Sequence, residues 1–470
     1  MVKNIHQYCN KEDFSCNIKE KDKGARFKAR IQTLDPVTRV GHVHEIVMNT
    51  LRATLPDITR GEMCEISCEN GKTVLGEVVA FSGNEATIAC LDSVDGVRLG
   101  SKVTPFGRRH CIESHAGIVG QVLDGMGRNM LNPADRSTWA LSFSSDSVPV
   151  MRQAPLAAER PPVCRHLETG VRVIDGLNSI GVGQRVGVFA PPGCGKTTLL
   201  SQIARGVDAD IVVFALVGER GRELREFMDR EISTEIRSKS VFVCATSDRS
   251  PTERVRSAFT AMTIAEHFRD QGKSVLLLVD SITRLARAQR EIGLMVGEPA
   301  TSAGFTPSVY SLLPQLVERA GRTNQGSITA IFTVLMESEK FEDDPLASEA
   351  KSLLDAHILL SQKYVESAHF PAVDPLRSLS RVMDHIVSPE HVKLSQAVRR
   401  ILSIHQEMEL LVRLNEYQAG TDPIVDEALR VVPNLKDWMR QGRNENSPTQ
   451  ETFKGLARIV SSFQSLTERA

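Results

Sequence analysis

Gln184-Arg-Val-Gly-Val-Phe-Ala-Pro-Pro-Gly-Cys-Gly-Lys-Thr-Thr198 decides how the rest of this chain is read. An apolar, β-branched run ends at Ala190, a Pro- and Gly-rich turn follows, and a helix-forming stretch opens at Lys196. Strand, glycine loop and helix in that order is the context that a phosphate-binding loop requires. Glycines let backbone amides turn inward as an anion nest, and the helix N-terminus adds its partial positive charge. The candidate cradle is Ala190, Pro191, Pro192, Gly193, Cys194, Gly195, Lys196, Thr197 and Thr198. Lys196 would bridge the β- and γ-phosphates of ATP, while the Thr197 hydroxyl would ligate Mg²⁺. Ala190 stands where a first glycine is usual, and Pro191 and Pro192 carry no N–H. The amides from Gly193 onward must therefore make the cradle.

Such a loop needs partners, and two carboxylates stand at suitable places. SVLLLVD is an apolar strand ending in Asp280, which is suited to hold the Mg²⁺ shell. Glu219, in VGERGRE, lies just past another strand, on the sheet edge where such folds bind ligands. It could orient and polarise a hydrolytic water, or equally be a loop glutamate paired with Arg220 or Arg222.

Outward from this centre, apolar β-branched runs alternate with helical stretches between about residues 107 and 387: QRVGVFA, DIVVFALVG, SVFVCATS, SVLLLVD, SITAIFTVL and AHILLS. That alternation predicts a doubly wound α/β domain with a mainly parallel sheet. One helix is predicted in detail: Ser250 and Glu253 form a capping box, Pro251 takes the first position, and Gly272 stops it. Val255, Phe259, Met262, Ala265 and Phe268 make its apolar stripe. Before it, residues 25–106 carry short apolar runs (ARIQTL, CEISCE, LGEVVAF, EATIACL) between turn signals, predicting a small β-barrel. Residues 388–470 read as wholly helical. Residues 1–24, dense in charge, predict a flexible or partner-docked tail.

Bulk properties exclude several classes. The 57 Lys+Arg balance 58 Asp+Glu to a net charge of -1, so no overall basic field drives nucleic-acid or membrane binding. Nine cysteines, an odd number, do not make a secreted disulfide framework, and a reducing cytoplasm is expected. Cys64 and Cys68 form the one close pair and lack a second pair at zinc-ligand spacing, so they read as half-buried strand residues. No apolar run approaches the roughly 20 residues needed to span a bilayer, and no signal-peptide core is visible, so a soluble, uncleaved chain is expected.

Together these residues resemble the ATP-synthase-like hexameric secretion ATPases, specifically the type III secretion ATPase and its flagellar export relative. The resemblance covers roughly residues 28–442 and implies that residues 107–387 form a RecA-like P-loop ATPase domain. PAVDPLRSLS (Pro371 to Ser380) is similar to that family's signature decapeptide; GERGRE (Gly218 to Glu223), DSITRLARAQREIG (Asp280 to Gly293) and GSITAIFTVL (Gly326 to Leu335) accompany it. The resemblance implies that Glu219 is the water-activating glutamate, Arg220 a phosphate-contacting residue, and Arg284 a basic residue of the catalytic centre. It implies that Phe370 packs against adenine and that Arg381 is an arginine finger entering a neighbouring subunit's site.

Related machines are separated by other features. A rotary ATP synthase's catalytic subunit would carry an acidic loop where this chain has ELLVRLNEYQAGTDPIVDEAL (Glu409 to Leu429). A hexameric RNA motor would need aromatic stacking platforms, yet residues 25–106 hold only Phe27, Phe81 and Phe106 as aromatics. Nucleic acid is therefore not an expected partner. The resemblance implies a homohexamer at the cytoplasmic face of the inner membrane, serving an injection apparatus or a flagellum. Its implied partners are a stator-like regulator, a central stalk protein, export-gate components and chaperone–effector complexes. Its implied work is to release chaperones and unfold export substrates.

Overall fold

A computed structural model describes residues 39–69, 71–130 and 147–463. The charged tail of residues 1–24, the ARIQTL run and Phe27 lie outside the described residues.

Six antiparallel strands close a barrel: β1 (Gly41–Val47), β2 (Thr50–Thr54), β3 (Glu62–Ser67), β4 (Thr73–Ser82), β5 (Glu85–Cys90) and β6 (Lys102–Arg109). They pair in the order β1-β2-β5-β4-β3-β6, with β1 bonded back to β6. Closure removes the exposed strand edges that would otherwise recruit other chains. The interior is narrow. A Cβ on Gly76 of β4 would stand 2.4 Å from Ile88, so only glycine fits there. Cys64 and Cys68 are both buried in this core rather than half-buried, and Cys68 falls just past the end of β3.

The central sheet places the chemistry. In chain order its strands are β7 (Val122–Asp124), β8 (Arg185–Ala190), β9 (Ile211–Glu219), β10 (Ser240–Thr246), β11 (Ser274–Asp280), β12 (Ser327–Leu335), β13 (Ala356–Leu359) and β14 (Leu379–Ser380). They lie in the order β14-β13-β8-β12-β11-β9-β10-β7, and a ninth strand, Gly321–Arg322, pairs with β12. All neighbours are parallel except β13 with β14 and the short ninth strand with β12. Helices cover both faces, so these strands are apolar on both sides and read as continuous runs. Parallel register brings Ala190, Leu335, Asp280 and Glu219 out along one edge of the sheet.

Three helices flank that edge: α1 (Lys196–Gly206), α2 (Pro251–Asp270) and α3 (Ile282–Met295). The predicted cap of α2 is present on one side, where the Ser250 side chain accepts from Glu253 N at 3.2 Å. The Glu253 carboxylate is instead buried, and burial pushes it up to about 7. The five stripe residues of α2 are all buried in the core, and burial does not stop at them. Nearly its whole circumference is buried, because it packs on β9, β10 and β11 while the barrel and neighbouring helices cover its other side. Gly272, at φ +86, takes the left-handed position after the helix ends.

The barrel is tied to α2 by a buried ion pair in which Arg256 Nε donates to Glu77 Oε2 at 2.9 Å, and its Nη2 grips the other oxygen. The C-terminal region is helical, with α4 (Pro389–Arg413), α5 (Pro423–Met439) and α6 (Thr449–Ser461). It packs against the short helix Arg172–Leu177, where Gly176 leaves room for the Trp438 ring.

Removing one partner of a buried pair strands the other charge, at a cost of about 3–5 kcal/mol. Glu77→Ala should therefore sharply lower the denaturant midpoint of the barrel and central domain, while the double replacement Glu77→Leu with Arg256→Met should recover most of the loss. A single variant as stable as the parent in urea unfolding would show the pair to be dispensable.

Candidate functional site

The loop between β8 and α1 is shaped by two glycines. Gly193 and Gly195 have φ +82 and +77, and a Cβ on either would meet nothing within 4 Å. Both face open space, as a cradle for a phosphate chain must. Gly195 caps α1 without any side-chain bond, which leaves the first-turn amides as free donors towards that space. Ala190 and Pro191 are buried at the strand's end, and the Cys194 thiol is buried beneath the loop.

At the same sheet edge, Lys196 Nζ is bound to Asp280 Oδ1. Thr333 of β12, the strand between β8 and β11, donates its hydroxyl to that carboxylate oxygen at 2.8 Å. Asp280 is almost fully buried, so both bonds are made away from water.

Glu219 lies beside this group and does not pair with Arg220 or Arg222. Arg284 Nη2 meets Glu219 Oε2 at 3.0 Å, and another guanidinium nitrogen donates to Gly218 O. Ser281 fixes the start of α3 by accepting from Arg284 N at 3.3 Å, which aims Arg284 at Glu219. Arg220 faces outward and bonds Glu223 at 3.1 Å, and Arg222 bonds Glu226. Thr197, Glu219 and Asp280 line one side of a cavity of about 360 Å³. Burial, then the charge of Asp280, raises Glu219 to about 7, against the opposing pull of Arg284 and Lys196. A carboxylate poised near the working pH is suited to take a proton from water.

A second cavity, about 490 Å³, opens on the other side of the loop, between Cys194, Gly195, Thr198 and Phe370. Phe370 is 44% exposed, an aromatic wall rather than a core ring. Its backbone carbonyl accepts from Gln441 N at 2.8 Å. The Gln441 side chain is itself spent on Gly170 O at 2.7 Å and on Arg172 N at 2.9 Å. Residues 440–443 thus complete this cavity from the helical region. No spacing rule connects them to a loop some 245 positions earlier, and the sequence reading missed them, as it missed Thr333.

Arg381 lies elsewhere. It follows β14, whose Ser380 pairs with Ala356, and Ala356 is in register with Val186. Four strand residues, about 13 Å, separate that end of the sheet from Ala190. Arg381 is exposed, and among the described residues no carboxylate pairs with it.

A closed antiparallel barrel, a mainly parallel sheet with a glycine phosphate loop, and a helical cap over that loop define a P-loop nucleotide-hydrolysing protein built like the ATP synthase α and β subunits. Three family descriptions match along the chain: the ATP synthase alpha/beta family beta-barrel domain over residues 56–107, its nucleotide-binding domain over 170–380, and the T3SS EscN ATPase C-terminal domain over 387–458. The type 3 secretion system ATPase of Pseudomonas syringae pv. tomato is 45% identical over 92% of this chain and 96% of its own length. The flagellum-specific ATP synthase of Bacillus subtilis is 37% identical over 92% and 97%. The assembled ATPase EscN of the enteropathogenic E. coli type III secretion system superposes with a TM-score of 0.83 at 39% identity, covering 89% of this chain and all of EscN. EscN in complex with its central stalk EscO superposes at 0.80 and 38%, over 89% and 100%. The chain belongs to the type III secretion ATPase family, and it is an ATPase.

Because Arg284 lowers Glu219 while burial and Asp280 raise it, the acid limb of the ATPase pH profile has a definite sign. A general base must be deprotonated, so activity should rise with pH through about 7. Arg284→Ala should move that limb to higher pH, and Glu219→Gln should abolish turnover at every pH. A limb unmoved in Arg284→Ala would detach Glu219 from it.

Proposed function

We propose that this chain is the motor subunit of a cytoplasmic homohexameric ring that drives type III protein export. The observation that carries the reading is the place of Arg381, solvent-exposed at the sheet end remote from its own phosphate loop. Such an arginine serves a nucleotide bound by a neighbour, so a complete site needs two chains. Within one site, Lys196 and the loop amides hold the phosphates, Glu219 orients the attacking water, and Arg284 keeps Glu219 in place. Arg220 would reach a phosphate only by leaving Glu223, and its exposure leaves it free to do so. Phe370 stacks on adenine.

The donor set fits Mg²⁺, which takes few protein oxygens and completes its octahedron with water and phosphate oxygens. Thr197 and Asp280 supply hard oxygens on one cavity wall, where bound Mg²⁺ would neutralise charge developing on the transferred phosphoryl group. Lys196 also bonds that buried carboxylate.

Export by an injection apparatus is favoured over flagellar export, since the secretion relative stands nearer in sequence than the flagellar one. A central stalk protein in the ring's pore is supported by the EscN–EscO likeness. Chaperone–effector complexes are assigned to the helical region, where Leu410, Leu411, Val412 and Leu414 expose an apolar surface at the end of α4. From these complexes the ring would release chaperones and unfold export substrates. A stator-like regulator and export-gate components would hold the ring at the inner membrane. Among the described residues no helix is long and apolar enough to cross a membrane.

Arg381→Ala should bind nucleotide like the parent and lose turnover by about 10³–10⁵. Lys196→Ala should lose it through its own loop. Mixing the two variants should restore part of the activity, because heteromeric rings then pair an intact loop with an intact finger. Full activity of Arg381→Ala alone, or no recovery on mixing, would overturn the shared site.

A further inference from the structure

Between the two cavities stands one side chain that the mechanism above leaves unused. Arg443 lines both of them and is the one residue common to their linings. On one side are Glu219, Asp280 and Thr197; on the other are Phe370, Thr198 and Gly195. A nucleotide with its base against Phe370 and its terminal phosphate near Glu219 must cross this boundary with its inner phosphates.

The local chemistry is arranged to present a cation there. The backbone of this segment is pinned to α1: Arg205 donates to Arg443 O at 2.7 Å, and Gln202 donates to Gly442 O at 3.4 Å and Glu445 O at 3.3 Å. The Arg443 side chain, by contrast, is 60% exposed. Its Nη2 lies 3.4 Å from the Thr198 hydroxyl, one residue past the Thr197 of the loop, and 3.4 Å from Glu231 Oε1. Both are long, loosely held contacts. Glu231 is better served elsewhere, accepting from Ser201 Oγ at 3.2 Å. The first cavity is rich in acid, with Glu219, Glu223, Glu226, Glu231 and Asp280 on its walls against Arg230 and Arg443, and of these two cations Arg443 alone also lines the second cavity. A polyanion entering it needs cations at its approach, and Arg443 already occupies that approach.

We propose that Arg443 is a ligand of the bound nucleotide's inner phosphates: its guanidinium leaves Glu231 on binding and turns onto the phosphates from a backbone already held on α1. This rests on the assignment of the two cavities to phosphate and base. It goes further in making the helical region a direct contact of the nucleotide. Since the same segment continues α5 and holds the Phe370 wall through Gln441, the export-facing helices would register whether the site is filled.

The test measures equilibrium binding of Mg²⁺-ADP and of adenosine to the full chain by calorimetry, in the parent, Arg443→Ala, Arg443→Lys and Lys196→Ala. Removing a charged hydrogen-bond donor from a phosphate should weaken ADP roughly ten- to a hundredfold. Arg443→Ala should show that loss and leave adenosine unchanged, while Arg443→Lys keeps most of the affinity. ADP affinity equal to the parent in Arg443→Ala would overturn the proposal, as would an equal loss for adenosine. Lys196→Ala separates the two readings: if it too leaves ADP binding untouched, the phosphate assignment of the loop fails; if it weakens ADP while Arg443→Ala does not, only the role of Arg443 falls.

Discussion

Everything at this site depends on one buried carboxylate. Asp280 ends β11 in an apolar sheet, where an unpaired charge would cost several kcal/mol. Lys196 reaches it from β8's loop and Thr333 from the intervening β12, so three strands are fixed in register around one oxygen atom. The arrangement also sets the chemistry. Lys196 is already held, dry and oriented, and the charge of Asp280 helps to raise Glu219 one strand away.

From that centre the structure divides its labour by edge. The C-terminal ends of the strands collect the phosphate loop, Asp280, Glu219 and the Phe370 wall, as open α/β sheets do. The opposite end carries Arg381, held by its backbone N–H to Asp355 O. The barrel, clamped through Glu77 and Arg256, adds size and a rigid base without contributing a residue to either cavity at the loop. The helical region behaves differently. Its segment 440–443 reaches back to wall the cavity beside Phe370, so a part of the chain remote in sequence borders the phosphate loop.

Arg284 illustrates why a salt bridge can be more than structural. Its pairing with Glu219 opposes two effects that favour the protonated acid, so the balance between burial, Asp280 and Arg284 sets where Glu219 titrates. The choice between a catalytic glutamate and a loop glutamate paired with Arg220 or Arg222 was open in the sequence. Three-dimensional placement supplied the missing partner from a different helix.

What the sequence by itself determined follows from periodicity and local chemistry. Apolar β-branched runs alternating with helical stretches gave the parallel strands, short apolar runs between turn signals gave the barrel strands, and the glycine loop with its lysine and threonine stood out because phosphate binding demands those residues side by side. Pro251 and Ser250 marked the start of α2. The reach of such rules is one turn or one strand. Whether Glu253 closed its capping box was decided by burial against another element, and so was the burial of α2 beyond its predicted apolar stripe. Only the tertiary structure brought Thr333 to Asp280, Arg284 to Glu219, Gln441 to Phe370 and Arg443 to the boundary of the two cavities. These contacts join residues from about 50 to about 245 positions apart, where no local pattern constrains which side chains will meet, because loop closure and packing alone choose the partners.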